Sequence, residues 1–462
     1  MSDPTTPLRR RPLWAGRAAA LLGIALVSLN LRAAVAALSP ISHQIAGDIP
    51  LSAVGLGLLG TLPPLCFALS GLLTPYAQRW SRLETLVLWA MILTCAGSLV
   101  RSLAADYTLL ALGSVLLFLG SGVANVALPP LFKDYFGDRI ATITSIFVTL
   151  MGLSSVLPPL LAVPLANAMG WRFSLGIWAA VAFVAILPWL PLAARGRRGQ
   201  RAAPPGSAAA AGMSPGSGTG NGAGAGGGTR GGASTSAGAS AGARGVGGDV
   251  RLTVWRSPLA WCLAVLFAAA SILAYASFAW LPQILMDRAG TSPELAGLLL
   301  AVFSAMGLPS SVLVPMVAAR LRTVWLPLCV SFGGYVLGLG GLLLAPHAAP
   351  ILWVALMGVG TLAFPLVLLL INLRTRTQAG AVALSGFEQG IGYLIGASGP
   401  LLVGLLHDLT DDWTLPILFM LLSAAVIIAV GPVVAPRNTI EDEAVRRHAR
   451  AVAARGGATV SP

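Results

Sequence analysis

Charge is scarce in this chain of 462 residues: Asp, Glu, Lys and Arg together make up 10% of it, against 56% hydrophobic residues. So small a supply of ionic groups excludes an ordinary soluble domain, about a quarter of which is charged, and points to a polytopic membrane protein. Cysteine is rare too. Cys66, Cys95, Cys262 and Cys329 stand singly in apolar runs without C-x-x-C spacing, which argues against a redox pair and reads as buried, unpaired thiols. The four histidines, His43, His347, His407 and His448, fall at span ends or in the tail, and neither H-E-x-x-H nor G-x-x-x-x-G-K-[ST] occurs. Metal catalysis and ATP-driven transport therefore find no support, no cofactor is implied, and the spans hold no nucleophile and base pair for an intramembrane enzyme.

What the chain has in quantity is apolar length. Twelve stretches can each cross ~30 Å of hydrocarbon as a helix: 17–39, 53–75, 84–103, 107–131, 141–166 and 172–194, then 257–285, 294–318, 323–345, 349–373, 379–407 and 412–435. The net charge of +13 would suit nucleic acid, but its placement reads as topology, with nucleic acid excluded. All but four of the 29 Lys and Arg lie on the N-terminal side of the membrane, the exceptions being Arg101, Arg172 and Arg288 in opposite-side loops and Arg32 within a span. By the positive-inside rule both termini are cytoplasmic. A cleavable signal peptide ending near Ala34–Ala36 is the alternative for the N-terminus. Arg32 would interrupt its apolar region, and cleavage would leave eleven helices.

Residues 199–249 are almost wholly Gly, Ala, Ser, Pro and Thr and cannot bury enough apolar surface to offset ordering entropy. The expected organisation is a six-helix bundle over 1–194, a cytoplasmic linker over 195–254, a second six-helix bundle over 255–436 and a cytoplasmic tail over 437–462. "GMSPG" (212–216) and "GAGAGG" (222–227) match nucleophile-elbow and dinucleotide patterns only through composition. "GLGLLG" (55–60) lies inside a span, where glycines let helices approach closely. A weak repeat at an offset of 240 residues links "ATITSIF" (141–147) to "AVALSGF" (381–387), Gly120 to Gly360 and Gly152 to Gly392. It suggests two parallel repeats about an axis along the membrane normal.

Only Arg32 and Glu388 place formal charge well inside a span, at about 2.5–3.5 kcal/mol each on insertion scales. Arg32 has three readings: snorkelling to headgroups ~10 Å away, an ion pair with Glu388 across a depth difference of ~9 Å, or a place in a substrate cavity. Glu388 is a candidate proton carrier; its bland reading is a carboxylate satisfied by neighbours and water. Asn30, Asn125, Tyr275, Gln389 and Tyr393 are the other polar candidates, and Asn125 reads equally as interhelical glue. Trp280 reads as an interfacial anchor. Prolines in "LPP" (62–64), "LPPLF" (128–132), "LPPLL" (157–161), "LPSS" (308–311) and "GASGP" (396–400) predict bent helices.

"NLRAAVAALSP" (30–40), "GVANVALPPLFKDYF" (122–136), "GWRFSLGIWA" (170–179), "FAWLPQIL" (278–285) and "EQGIGYLIGASGPLLVGLLHDLTDDW" (388–413) resemble the cyanate/2-nitroimidazole permease family of the major facilitator superfamily, over most of the chain outside linker and tails. The resemblance implies an all-α membrane protein of two pseudo-symmetric six-helix bundles and alternating access of a small solute. It implies a midplane cavity taking Asn30, Arg32, Asn125 and Tyr275 as substrate-binding residues, with Gln389 and Tyr393 near the junction of the halves. The chain departs from it in a loop between helices 2 and 3 reduced to "GLLTPYAQRWSRLE" (71–84), in Glu388 and in the long linker. The expected protein is a monomeric secondary active transporter of the bacterial inner membrane, not an enzyme, moving a small polar or anionic solute, with Glu388 as the candidate for proton coupling. A drug or nitroaromatic efflux pump is the alternative, and a non-transporting sensor or scaffold the alternative from another class.

Overall fold

In hydrocarbon every backbone polar group must find its partner within the protein, and the chain meets that demand with helices alone among its described residues. The computed structural model describes residues 17–136, 138–194, 254–320, 323–443 and 445–447; the expected linker and the end of the tail fall outside them. All twelve apolar stretches are helical. Ten are long and apolar enough to cross a membrane, and two shorter apolar helices, Trp171–Ile186 and Pro293–Pro309, fill the sixth and eighth places.

In the first half, α1 (Ala18–Ser28), α2 (Ala33–Ala37) and α3 (Ser42–Asp48) share the first span, followed by α4 (Ala53–Ala77), α5 (Leu83–Ser102), α6 (Tyr107–Phe136), α7 (Ile140–Met169) and α8 (Trp171–Ile186). The second half runs through α9 (Pro258–Ala289), α10 (Pro293–Arg320), α11 (Trp325–Leu344), α12 (Pro350–Gly360), α13 (Ala363–Leu373), α14 (Gln378–Gly396), α15 (Ser398–Thr410), α16 (Thr414–Ala429) and α17 (Gly431–Val434). Serine and threonine start several of these helices: Ser52 Oγ accepts from Gly55 N–H, Ser257 Oγ from Ala260 N–H and Thr377 Oγ1 from Gly380 N–H, each satisfying a donor left free in a first turn. Gly290 closes α9 at φ +61°, a left-handed conformation that glycine adopts without strain.

Three spans are broken rather than continuous. The expected helix over 17–39 unwinds at residues 29–32; Asn30 Nδ2 donates to the Leu26 carbonyl and Ser154 Oγ of α7 accepts from the Arg32 backbone N–H. Polar side chains thus partner backbone groups that a helix would pair, with no proline or glycine involved. The expected helix over 349–373 divides between α12 and α13 at Thr361 and Leu362, and the helix over 379–407 divides at Ala397 in "GASGP". By contrast Pro129 and Pro130 lie within an unbroken α6, and Pro158 and Pro159 within an unbroken α7.

Close contacts without side chains hold each half together. A Cβ added at Gly120 would stand 2.8 Å from the Thr94 backbone nitrogen, locking α6 onto α5. Gly360, its counterpart in the repeat, faces the Tyr335 ring and so locks α12 onto α11. The most enclosed span is α9, against which α14, α15 and α16 all pack.

The halves meet at the end away from the chain termini. There Gly57 and Gly60 of α4 face Pro400 of α15, a Cβ at either lying 2.8 Å from the Pro400 carbonyl oxygen or Cβ respectively. Among the described residues, hydrogen bonds join the halves at this end from Ser39 Oγ to the Ala279 carbonyl (2.6 Å), Val54 N to Asp408 Oδ2 (3.1 Å) and Asn167 Nδ2 to Glu294 Oε1 (2.8 Å). Toward the other end, Leu72, Leu73 and Tyr76 of α4 and Val382 of α14 are exposed, and Gly71, Gly386 and Gly390 have no neighbour within 4 Å of an added Cβ. The described contacts between the bundles thus gather at the end away from the termini, called here the sealed end.

The ion pairs sit at span ends: Arg17 with Asp138 (2.6 Å), Arg172 with Asp48, Arg288 with Asp412 (3.3 Å) and Arg376 with Asp442 (2.7 Å). The Arg17 guanidinium holds the Asp138 carboxyl below the usual carboxylate range. Part of the expected tail is folded onto the body. Ile440 is buried and its N–H donates to the Arg374 carbonyl, Ser257 Oγ donates to Glu443, and Arg447 Nη1 donates to the Arg256 carbonyl.

Candidate functional site

The break at residues 29–32 puts Arg32 at the start of α2, half-buried, in a position that no continuous helix would give it. Its guanidinium lies 6.0 Å from the Phe67 ring of α4 and 5.8 Å from the Phe364 ring of α13, one ring from each half. These distances are the outer limit of cation–π attraction, worth ~0.5–2 kcal/mol each as desolvation increases. Tyr275 of α9 and Tyr393 of α14 lie close enough for the guanidinium to act on both phenols electrostatically. The two phenol rings stand 6.4 Å apart, and Tyr393 packs edge-on against Phe267 at 4.8 Å. Tyr275 is fully buried, and its hydroxyl makes no well-formed hydrogen bond.

Arg32 points between rings of the two halves rather than along its span toward headgroups, and it has no carboxylate within 4.0 Å among the described residues. Neither the snorkelling reading nor the ion pair with Glu388 holds. Glu388 is fully buried, and both its oxygens lack a hydrogen bond. It shares a helix face with Gly392 and Gly396, whose neighbours are Phe267 and Ser271 of α9, so the carboxyl belongs to the contact between α14 and α9.

The sequence candidates separate accordingly. Arg32, Tyr275 and Tyr393 come together. Asn30 is turned back on its own helix, Gln389 Nε2 is committed to Ser385 Oγ at 2.7 Å, and Asn125 is exposed on α6, one turn from Gly122, which packs against Phe67. Trp280 is not an interfacial anchor: it is fully buried and Nε1 donates to the Pro400 carbonyl at 2.8 Å. The four cysteines are unpaired, but of the expected buried thiols only Cys66 is buried; Cys95 and Cys262 are half-buried and Cys329 is exposed.

Sequence reasoning missed Phe67 and Phe364, for which ordinary apolar positions give no signal. It also misplaced Arg101. That residue ends α5 inside the first half, 3% exposed, with Nη1 donating to the Ala34 carbonyl at 3.1 Å. The signal was there, since 101 falls within the apolar stretch 84–103.

Two helical bundles that meet around a half-buried arginine have the architecture of a membrane transporter. The profile of the Major Facilitator Superfamily matches residues 20–397. Similar proteins include an uncharacterized transporter, YycB, of Bacillus subtilis (30% identical, over 89% of this chain and 92% of the relative) and a 2-nitroimidazole transporter of Escherichia coli (30%, over 86% and 90%). The cyanate transport protein CynX of Escherichia coli is 24% identical over 91% of this chain and 100% of the relative. Among solved structures, an inward-facing bacterial homolog of the lysosomal transporter Spinster has a TM-score of 0.65 at 15% identity, covering 92% of this chain and 96% of that one. The chain belongs to the major facilitator superfamily, as the resemblance in its sequence implied.

Proposed function

We propose that this transporter moves a small anion, of the size and charge of cyanate, by alternating access, with Arg32 as the anion's counter-charge. The observation that carries the reading is the Arg32 guanidinium held between Phe67 and Phe364 of opposite halves without an acidic partner among the described residues. A cation kept in a span at a cost of ~2.5–3.5 kcal/mol needs a compensating charge, and an arriving anion supplies it. Because the two rings belong to different bundles, a rocking motion changes the cage around the cation and with it the affinity for the anion.

Placing the basic termini in the cytoplasm of a bacterial inner membrane makes the sealed end the outward one. Glu388 serves as the proton carrier of this reading, a buried carboxyl without a fixed partner beside the helix that supports Tyr275. A second reading, a nitroaromatic substrate moved outward, is favoured by the ring-lined surroundings of Arg32, where Phe67, Phe364, Tyr275 and Tyr393 offer stacking surfaces, and by the 2-nitroimidazole transporter among the relatives.

Uptake into proteoliposomes under an imposed pH gradient tests both. Labelled cyanate, a nitroimidazole and several small carboxylates are compared between wild type and Arg32→Gln. Anion uptake lost in a folded Arg32→Gln while a neutral compound still moves supports the anion reading; equal uptake by both proteins refutes it. Glu388→Gln is expected to abolish the response to the pH gradient, and an unchanged response removes Glu388 from coupling.

A further inference from the structure

Arg101 is a second cation inside the membrane, and nothing among the described residues neutralises it. It is 3% exposed and has no carboxylate within 4.0 Å among those residues. Of its five N–H donors one is spent on the Ala34 carbonyl, and Nε has no partner. A buried guanidinium so poorly satisfied is costly, and it survives in a fold only where something else offsets the charge. Bracing Ala34, next to the break in the first span, uses one donor and leaves the charge unbalanced.

The space beside it answers to that charge. A cavity of about 30 Å³ opens at the sealed end, lined by Arg101 and Ser114 with Gly60 and Phe118 from the first half and by Tyr275 and Ala279 from α9 of the second. In this measure ~10–15 Å³ suffices for one water, so the cavity holds on the order of two waters or one linear triatomic ion. Ser114 spends its one O–H on the Leu110 carbonyl and lines the cavity by its size alone, whereas the Tyr275 hydroxyl has no well-formed hydrogen bond and keeps its proton for an anion. Tyr275 also stands beside Arg32, so one phenol borders both cations.

We propose that the Arg101 cavity is a second subsite for a small monovalent anion, adjoining the Arg32 site through Tyr275 and closed off when the sealed end is shut. An anion moving between the halves exchanges one guanidinium for the other without crossing bare hydrocarbon. This inference rests on the anion reading of Arg32 for its place in transport, but its residues are distinct and can be tested separately.

The test is equilibrium dialysis of the purified full-length protein with radiolabelled thiocyanate, a linear triatomic anion, with thermal melting as a check on folding. Wild type is expected to bind two ions, Arg101→Gln one, Arg32→Gln one, and the double variant none. Ser114→Val, which fills the cavity and keeps the cation, is expected to bind one, and Arg101→Lys two; this pair decides the matter if Arg101→Gln fails to fold. A single ion in wild type, removed by Arg32→Gln and untouched by Ser114→Val, overturns the subsite while leaving the Arg32 reading standing. Two ions of which only Arg101→Gln and Ser114→Val remove one would uphold the subsite and sink the Arg32 reading. Absence of binding to wild type refutes both.

Discussion

Gly57→Ala should unseal the transporter, and by an amount that its surroundings set. The added Cβ would meet the Pro400 carbonyl oxygen at 2.8 Å and the Leu401 Cα at 3.1 Å. Both are backbone atoms of the opposite half, which cannot step aside by changing rotamer. Overpacking of this kind costs ~1–3 kcal/mol, and only in the conformation where α4 and α15 touch. The ratio of sealed to unsealed molecules should therefore fall by about 5- to 150-fold. Gly71→Ala on the same helix is the control, because nothing lies within 4 Å of its added Cβ; the gain in helix propensity, ~1 kcal/mol, is common to both variants and to both conformations. Pulsed electron–electron resonance between spin labels at Ala46 and Ala348, exposed positions at the sealed end of opposite halves, reads the two populations directly once the native cysteines are replaced. A distance distribution in Gly57→Ala matching that of Gly71→Ala would show that the glycine contact does not hold the halves shut.

Trp280→Phe removes the hydrogen bond to the Pro400 carbonyl while keeping most of the ring, and should cost ~1 kcal/mol, seen as a lower melting temperature in detergent. Asn30→Ala strips the side chain that holds the Leu26 carbonyl at the break and should lower stability by a similar ~1 kcal/mol; an unchanged melting temperature would mean that water replaces it. Because Arg17 depresses the Asp138 carboxyl, its stabilising contribution is complete above the ordinary value of 3.8 and is lost as pH falls through the depressed value. The melting difference between wild type and Asp138→Asn should accordingly be constant at neutral pH, shrink below about pH 4, and diminish in high salt.

The spans were legible because a membrane helix is a matter of length and composition, and all twelve stretches proved helical. Glu388 and Arg32 were equally legible, since a charge amid apolar residues is visible in one dimension. Two things were not. The break at residues 29–32 arises from side chains of Asn30 and Ser154 that satisfy the backbone from far apart in the chain, and "SLNLR" carries no proline or glycine to announce it. The grouping of Arg32 with Tyr275 and Tyr393 depends on how three helices pack, whereas spacing along one helix could only relate Gln389 and Tyr393 to Glu388. Arg101 shows a different failure: a cation near the end of a span looks like a loop residue until the packing of α5 against α6 encloses it.

The clasp formed by residues 439–447 has a practical side for anyone handling the protein. Ile440 sits fully buried, Glu443 accepts a hydrogen bond from the serine hydroxyl that caps α9, and Glu441 Oε1 accepts from the Thr377 N–H and hydroxyl at the start of α14. A purification tag fused after 447 leaves these joints untouched, while a chain trimmed at 436 would expose an apolar socket beside Arg374 and release the entry to two helices of the second bundle. Trimming the basic end to improve crystals would in this chain remove a fastening, and the yield of folded protein would record the loss before any transport assay did.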